Sequence, residues 1–227
     1  MPYSDYEPLL PFARDLDAAK PVSEAEAGRY RGILPDGLLE FWVRHGNNIV
    51  FGDGYMQMCD PAVFAPIIRD WFEGDPEFEY SKLPVFARSS IGNLYLCDGS
   101  LEAYAIYAQL GEFAHGPYVP PPTGECHLDF FLAHQLKLGT VTPRYIDEYD
   151  THTEAVAKHG PLAPGEMFTW VPALQIAKEG NRVEKVDAEV QLAILQELGP
   201  LKYITMNFTE DGLYLGTEFK RYIGPQG

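Results

Sequence analysis

Apolar residues along this chain fall into two spacings, and the spacing changes near residue 83. Leu34, Leu38, Phe41 and Trp42 stand at i, i+4, i+7 and i+8, which lines one face of a helix. Pro35 suits its first turn, and Gly46 can end it in a left-handed conformation. Ile49-Val-Phe and Tyr55-Met-Gln-Met flank Gly52-Asp-Gly and predict a β-hairpin. Asp60-Pro61 supplies a cap and first residue for a second helix with Val63, Phe64, Ile67, Ile68 and Trp71 on its apolar face. Pro66 within it either kinks the helix or delays its start.

From Leu83 the pattern becomes that of strands. Val85-Phe-Ala and Leu94-Tyr-Leu-Cys are separated by a turn at Gly92-Asn93, and Asp98-Gly99 leads into Leu101 to Tyr107. Three consecutive prolines in the segment 116–124 favour polyproline II and cannot join a sheet interior. We place a linker there, between a first unit of residues 1–115 and a second of residues 125–227. In the second unit, helices are predicted over Leu128 to Leu138 and within Ile146 to His159. An extended stretch follows from Phe168 to Ile176, broken by Pro172. Asp187 caps a further helix, whose predicted buried face is Val190, Ala193, Ile194 and Leu198, and Gly199-Pro200 stops it. Tyr203 to Phe208 and Leu213 to Leu215, around Asp211-Gly212, predict a terminal hairpin. The expected fold class is α+β: antiparallel sheets with packed helices, in two subdomains in a compact arrangement.

Charge narrows the functional classes. Against 17 Lys and Arg stand 33 Asp and Glu, a net of −16. Such a field repels phosphate backbones and anionic membranes and attracts basic proteins. Direct nucleic-acid binding is disfavoured, since it draws its affinity from Lys and Arg neutralising phosphates. The same charge also serves solubility alone in many acidic proteins. Three cysteines (Cys59, Cys97 and Cys126) without CxxC spacing argue for free thiols in a reducing compartment. The first residues hold no basic segment followed by an apolar run, and no apolar stretch approaches the roughly 20 residues that span a bilayer. The expected location is the cytoplasm.

No catalytic or ligand-binding pattern is recognisable in the chain. Cys126, His127 and His134 lie close together, but their spacing matches neither a zinc ribbon nor HExxH. There is no GxSxG, no P-loop and no GxGxxG, and Arg88-Ser-Ser is not a recognisable anion motif. Acidic pairs such as Glu125 with Asp129 say little in a chain this acidic. The expectation is a protein without catalytic residues, metal or cofactor.

One segment combines charge with aromatic side chains. Between Arg69 and Lys82, Asp70, Glu73, Asp75, Glu77 and Glu79 alternate with Trp71, Phe72, Phe78 and Tyr80, without a base. Acids around aromatic anchors suit a protein interface, because charge speeds capture and buried rings hold the partner. The competing explanation is a helix end and an acidic loop whose rings join the core, with Trp71 continuing the apolar stripe of its helix. A second cluster, Asp147, Glu148 and Asp150 beside Tyr145 and Tyr149, has the same two explanations. The candidate partner-binding residues are Asp70, Trp71, Glu73, Asp75, Glu77, Glu79, Asp147, Glu148 and Asp150.

Four segments, in order, carry a family likeness: ILPDGLLEFWVRHG (Ile33 to Gly46), FARSSIGNLYLCDG (Phe86 to Gly99), GPLAPGEMFTWVPAL (Gly160 to Leu174) and KVDAEVQLAILQELG (Lys185 to Gly199). Together they resemble bacterial proteins in which a GAD-like domain precedes a characteristic immunity-type C-terminal domain. The likeness covers residues 5–105 and 125–200 and rests on packing and turn residues. It departs from the pattern at Thr169-Trp170, where a Gly-aromatic pair is more usual. Members of that family sit beside DNase toxins of type VI secretion systems and protect the producing cell. The resemblance therefore implies a cytoplasmic immunity protein that binds a basic cognate toxin, a nuclease. Two other classes stay open on the residues: an α+β small-molecule-binding or catalytic domain, and an adaptor with no toxin partner.

Overall fold

A computed structural model describes residues 3, 6–14, 16, 19, 21–99, 103–115, 148–177, 179–208 and 214–225. A nine-stranded sheet forms its centre, in the order β1-β2-β3-β4-β5-β6-β7-β10-β11. The strands are β1 (Ala13–Arg14), β2 (Val50–Phe51), β3 (Met56–Met58), β4 (Val85–Ser89), β5 (Asn93–Cys97), β6 (Ala103–Tyr107), β7 (Glu112–His115), β10 (Lys202–Phe208) and β11 (Tyr214–Tyr222). A separate antiparallel pair is made by β8 (Glu166–Val171) and β9 (Arg182–Asp187). The helices are α1 (Glu24–Ala27), α2 (Asp36–His45), α3 (Pro61–Phe72), α4 (Glu148–His159) and α5 (Ala188–Gln196). The fold class is α+β.

Every neighbouring pair in the large sheet is antiparallel except β7 with β10. That parallel contact pairs Lys202, Tyr203 and Ile204 with Glu112, Phe113 and Ala114. The C-terminal strands thus complete the sheet begun by the N-terminal half. The proline-rich 116–124 and the helix predicted over Leu128 to Leu138 lie outside the described residues.

Helices cover both faces of the sheet, and strands β4 and β5 are buried on both sides. This explains their near-continuous apolar sequence. Val85, Leu94, Leu96, Ile106 and Phe113 join Phe64, Ile68, Trp71 and Phe72 of α3 and Leu192 and Leu195 of α5. On the opposite face Phe86, Ala87, Tyr95 and Cys97 meet Leu38, Phe41 and Trp42 of α2. A register irregularity between Val85 and Ala87 lets the adjacent Phe86 and Ala87 enter the same core.

Local signals acted as their chemistry requires. Gly46 ends α2 at φ 98°. The Asp60 side chain accepts from the Ala62 N–H at the start of α3, which continues through Pro66. Four elements have no counterpart in the sequence expectations. Strand β1 and helix α1 are two and four residues long, β7 is four, and β9 is half-exposed and charged, so none shows a strong apolar period.

One expected face is corrected. Helix α5 buries Ala188, Leu192 and Leu195, whereas Val190, Ala193 and Ile194, and Leu198 just past its end, are exposed. The helix is apolar on both faces, so periodicity alone could not choose between them. Among the described residues no helix is long and apolar enough to cross a membrane.

Candidate functional site

The acidic segment begins where α3 ends. Trp71 and Phe72 finish the buried stripe, and Gly74 turns the chain at φ 78°. Phe78 then returns to the core, edge-on to Phe72, Phe113, Tyr104 and Tyr203 at 4.9–6.1 Å between ring centroids. The loop between is fixed by one carboxylate. Asp75 Oδ1 accepts from the backbone N–H of Glu77 (3.0 Å) and Phe78 (2.9 Å) and from Arg221 Nη2 (2.9 Å). Its Oδ2 accepts from Arg221 Nη1 (2.6 Å) and the Gly224 N–H (2.9 Å). Burial pushes the Asp75 carboxyl upward, but the Arg221 fork and the three N–H groups outweigh it and hold the pKa at about 2. The same hydrogen bond to Asp75 raises Arg221 against its own desolvation.

These contacts sort the candidates. The Trp71 ring is core, and the Asp75 side chain is fully enclosed by its partners. Both brace the segment and offer a partner nothing to touch, so neither keeps the outward role assigned to it from sequence. Asp70, Glu73, Glu77 and Glu79 are exposed. Asp70 pairs with Arg69, Glu79 with Lys82, and Glu77 shares Arg221 with Asp75. In the second cluster, Glu148 and Asp150 lie in the first turn of α4, and Asp147 is outside the described residues.

A second feature is an open groove of about 500 Å³ between α1 and α2, lined by Glu24, Ala27, Arg31, Asp36, Leu39, Glu40 and Val43. Leu39 and Ala27 form a buried apolar floor. Glu24, Asp36 and Glu40 outnumber Arg31 at its rim, although Glu40 is paired with Arg44.

A third feature was not foreseen: a buried polar seam where the β8–β9 pair and α4 meet the large sheet. Arg88 is 1 % exposed. Its Nη2 donates to Gln57 Oε1 and to the Glu166 carbonyl, both at 2.7 Å. Gln57 Nε2 donates to the carbonyls of Ala163 and Glu166, and Gln109 Nε2 to Ile91 O and Thr169 Oγ1. The Phe168 N–H donates to Ser90 O at 2.7 Å. Burial lowers the Arg88 pKa, with Cys59 and Asp187 opposing. The sequence signal was available in the arginine inside the apolar run of β4. Its partner, a backbone carbonyl 78 residues away, was not.

Reactive chemistry has little foothold in this seam. Burial pushes the Cys59 thiol up to about 12, with Arg88 opposing, so it stays protonated. Cys97 is also buried, and its Sγ donates to the Ile33 carbonyl. Cys126, His127 and His134 lie outside the described residues. Among the described residues no group of three or more His, Cys, Asp or Glu is placed to hold a metal.

The large sheet up to β6, with α1 to α3 on its faces, coincides with a known module. Residues 6–108 match the GAD-like domain. The GAD-like region thus holds the exposed acids of residues 70–79, the α1–α2 groove and Arg88, and it ends just before β7. The crystal structure of Atu4351 from Agrobacterium tumefaciens is similar over 93% of this chain and 97% of that one, with a TM-score of 0.70. At 18% identity this is a likeness of fold, and it extends through the strands and helices after the GAD-like region. No curated protein matches the sequence.

Proposed function

We propose that this protein is a cytoplasmic immunity protein that binds and neutralises a cognate type VI secretion toxin, a DNase. The observation that carries the reading is the display of Asp70, Glu73, Glu77 and Glu79 on a segment held rigid by Asp75 and Arg221, in a chain of net charge −16. A nuclease must carry a basic cleft to hold phosphates. An acidic surface fixed before binding is steered to such a cleft and loses little conformational freedom on docking. Covering the cleft, or binding beside it, denies DNA its site. In this reading the chain recognises and performs no chemistry; the resemblance that suggests it joins a GAD-like domain to an immunity-type domain, and residues 6–108 match the GAD-like domain.

The test is co-expression and pull-down with the product of the adjacent gene, then plasmid degradation with and without this protein. A stable complex that abolishes degradation, formed more slowly as salt rises, is the expected result. A neighbouring product that neither binds nor degrades DNA would overturn the proposal. Undiminished association at high salt would remove its electrostatic part.

A further inference from the structure

Helix α5 carries more apolar surface than the core uses. Ala188, Leu192 and Leu195 fill the interior at 0, 0 and 1 % exposure. Val190, Ile194 and Leu198 remain 60, 52 and 37 % exposed. Single exposed apolar residues are ordinary, but Val190 and Ile194 stand at i and i+4 on one face of the helix, and Leu198 follows in the turn just past its end. Val190 and Ile194 lie about 6 Å apart along the axis at 1.5 Å per residue, and Leu198 extends the ridge beyond the helix end. A carboxylate sits at each end of that face: Asp187 three residues before Val190, and Glu197 three residues after Ile194. Both acids are exposed, as is Glu189 beside the ridge. Residues 186–201 contain no Lys, Arg or His.

We infer that the Val190–Ile194–Leu198 ridge is a docking surface for a protein partner presenting an apolar groove bordered by Lys or Arg. The inference rests on the immunity reading, in which that partner is the toxin. It adds a surface outside the GAD-like region, where three aliphatic side chains supply apolar contact in addition to that of Tyr80 in the acidic segment. Val190 and Ile194 at i and i+4, with Leu198 just beyond the helix, fit the helix-in-groove mode, and the flanking acids select basic borders. Charge also disfavours a second copy of this chain as the occupant. Two such helices, in either direction, would bring only carboxylates together.

The decisive experiment measures binding of the purified, catalytically inactivated product of the adjacent gene to wild type, Ile194→Asp, Val190→Lys and Glu197→Lys. Thermal midpoints and light-scattering masses of the free proteins are recorded alongside. The expected result is that Ile194→Asp and Val190→Lys keep the wild-type midpoint and weaken affinity about 30-fold or more, a 2 kcal/mol hot-spot loss. Glu197→Lys should weaken it less and flatten its salt dependence. Wild-type binding left intact in both ridge variants overturns the ridge and spares the immunity reading. Absence of wild-type binding overturns both. A midpoint several degrees lower in Ile194→Asp, or a wild-type dimer that it splits, also overturns the inference. The ridge would then be covered by this chain or by a second copy.

Discussion

Replacing Asp75 with alanine tests whether the acidic segment is a braced display or a loose loop. The substitution removes a carboxylate that accepts five hydrogen bonds, two from Arg221 and three from backbone N–H groups. It leaves Arg221, whose side chain is 21 % exposed, without its enclosed partner. Deleting one member of such a pair costs about 3–5 kcal/mol. The pKa gives a partial check, because a fall from 3.8 to about 2 corresponds to about 2 kcal/mol before screening by nearby water, and about 1–2 after it. The remainder is the cost of stranding the N–H groups of Glu77, Phe78 and Gly224. In urea titrations followed by circular dichroism, Asp75→Ala should lose about 3–4 kcal/mol at neutral pH, or about 6–16 °C in midpoint for a chain of this size. Arg221→Ala combined with it should add far less than its own single effect. The pH dependence has a definite sign. The folded-state pKa lies below the unfolded value, so the ionic contribution is complete above 3.8 and is lost as pH falls toward 2. The gap between wild type and variant should therefore stay constant at neutral pH and narrow only in strong acid. A loss below 1 kcal/mol, or strictly additive single effects, would refute the brace.

Three further outcomes follow from the seam and the sheet. A Cβ added at Gly54, where φ is 93°, would lie 2.4 Å from Leu162 Cβ, so Gly54→Ala should cost more than about 1 kcal/mol in the same denaturation assay. His152 is 7 % exposed and packs edge-on to Tyr55, and burial lowers its pKa, with Asp53 opposing. Its folded value lies below its unfolded value, so stability should fall as pH drops through about 6.5 and level off below the folded pKa. His152→Gln should show a shallower decline in urea midpoint between pH 7.5 and 5.5, roughly the range in which histidine titrates. Cys59, protonated and enclosed, should resist thiol reagents in the native state and react at the rate of unfolding, read by mass spectrometry of the modified peptide.

Local chemistry determined much of this protein from sequence. Asp60 before Pro61, Gly46 after Trp42 and Asp187 before an apolar run each fix a helix end through contacts within four residues, so tertiary context had little to add. The strands of β4 and β5 were legible because burial on both faces demands apolar residues throughout. The acidic excess, too, is a property of composition alone. Tertiary structure decided what depends on distant partners. It chose which apolar face of α5 would be buried, because Ala188, Leu192 and Leu195 fit against α3 and the sheet while Val190 and Ile194 do not. It turned Asp75 from an apparent recognition residue into a brace, since Arg221 lies 146 positions away. It gave Arg88 a buried site by supplying the Glu166 carbonyl from β8. A sequence states which groups need partners, and only the folded chain determines which of them are left facing outward.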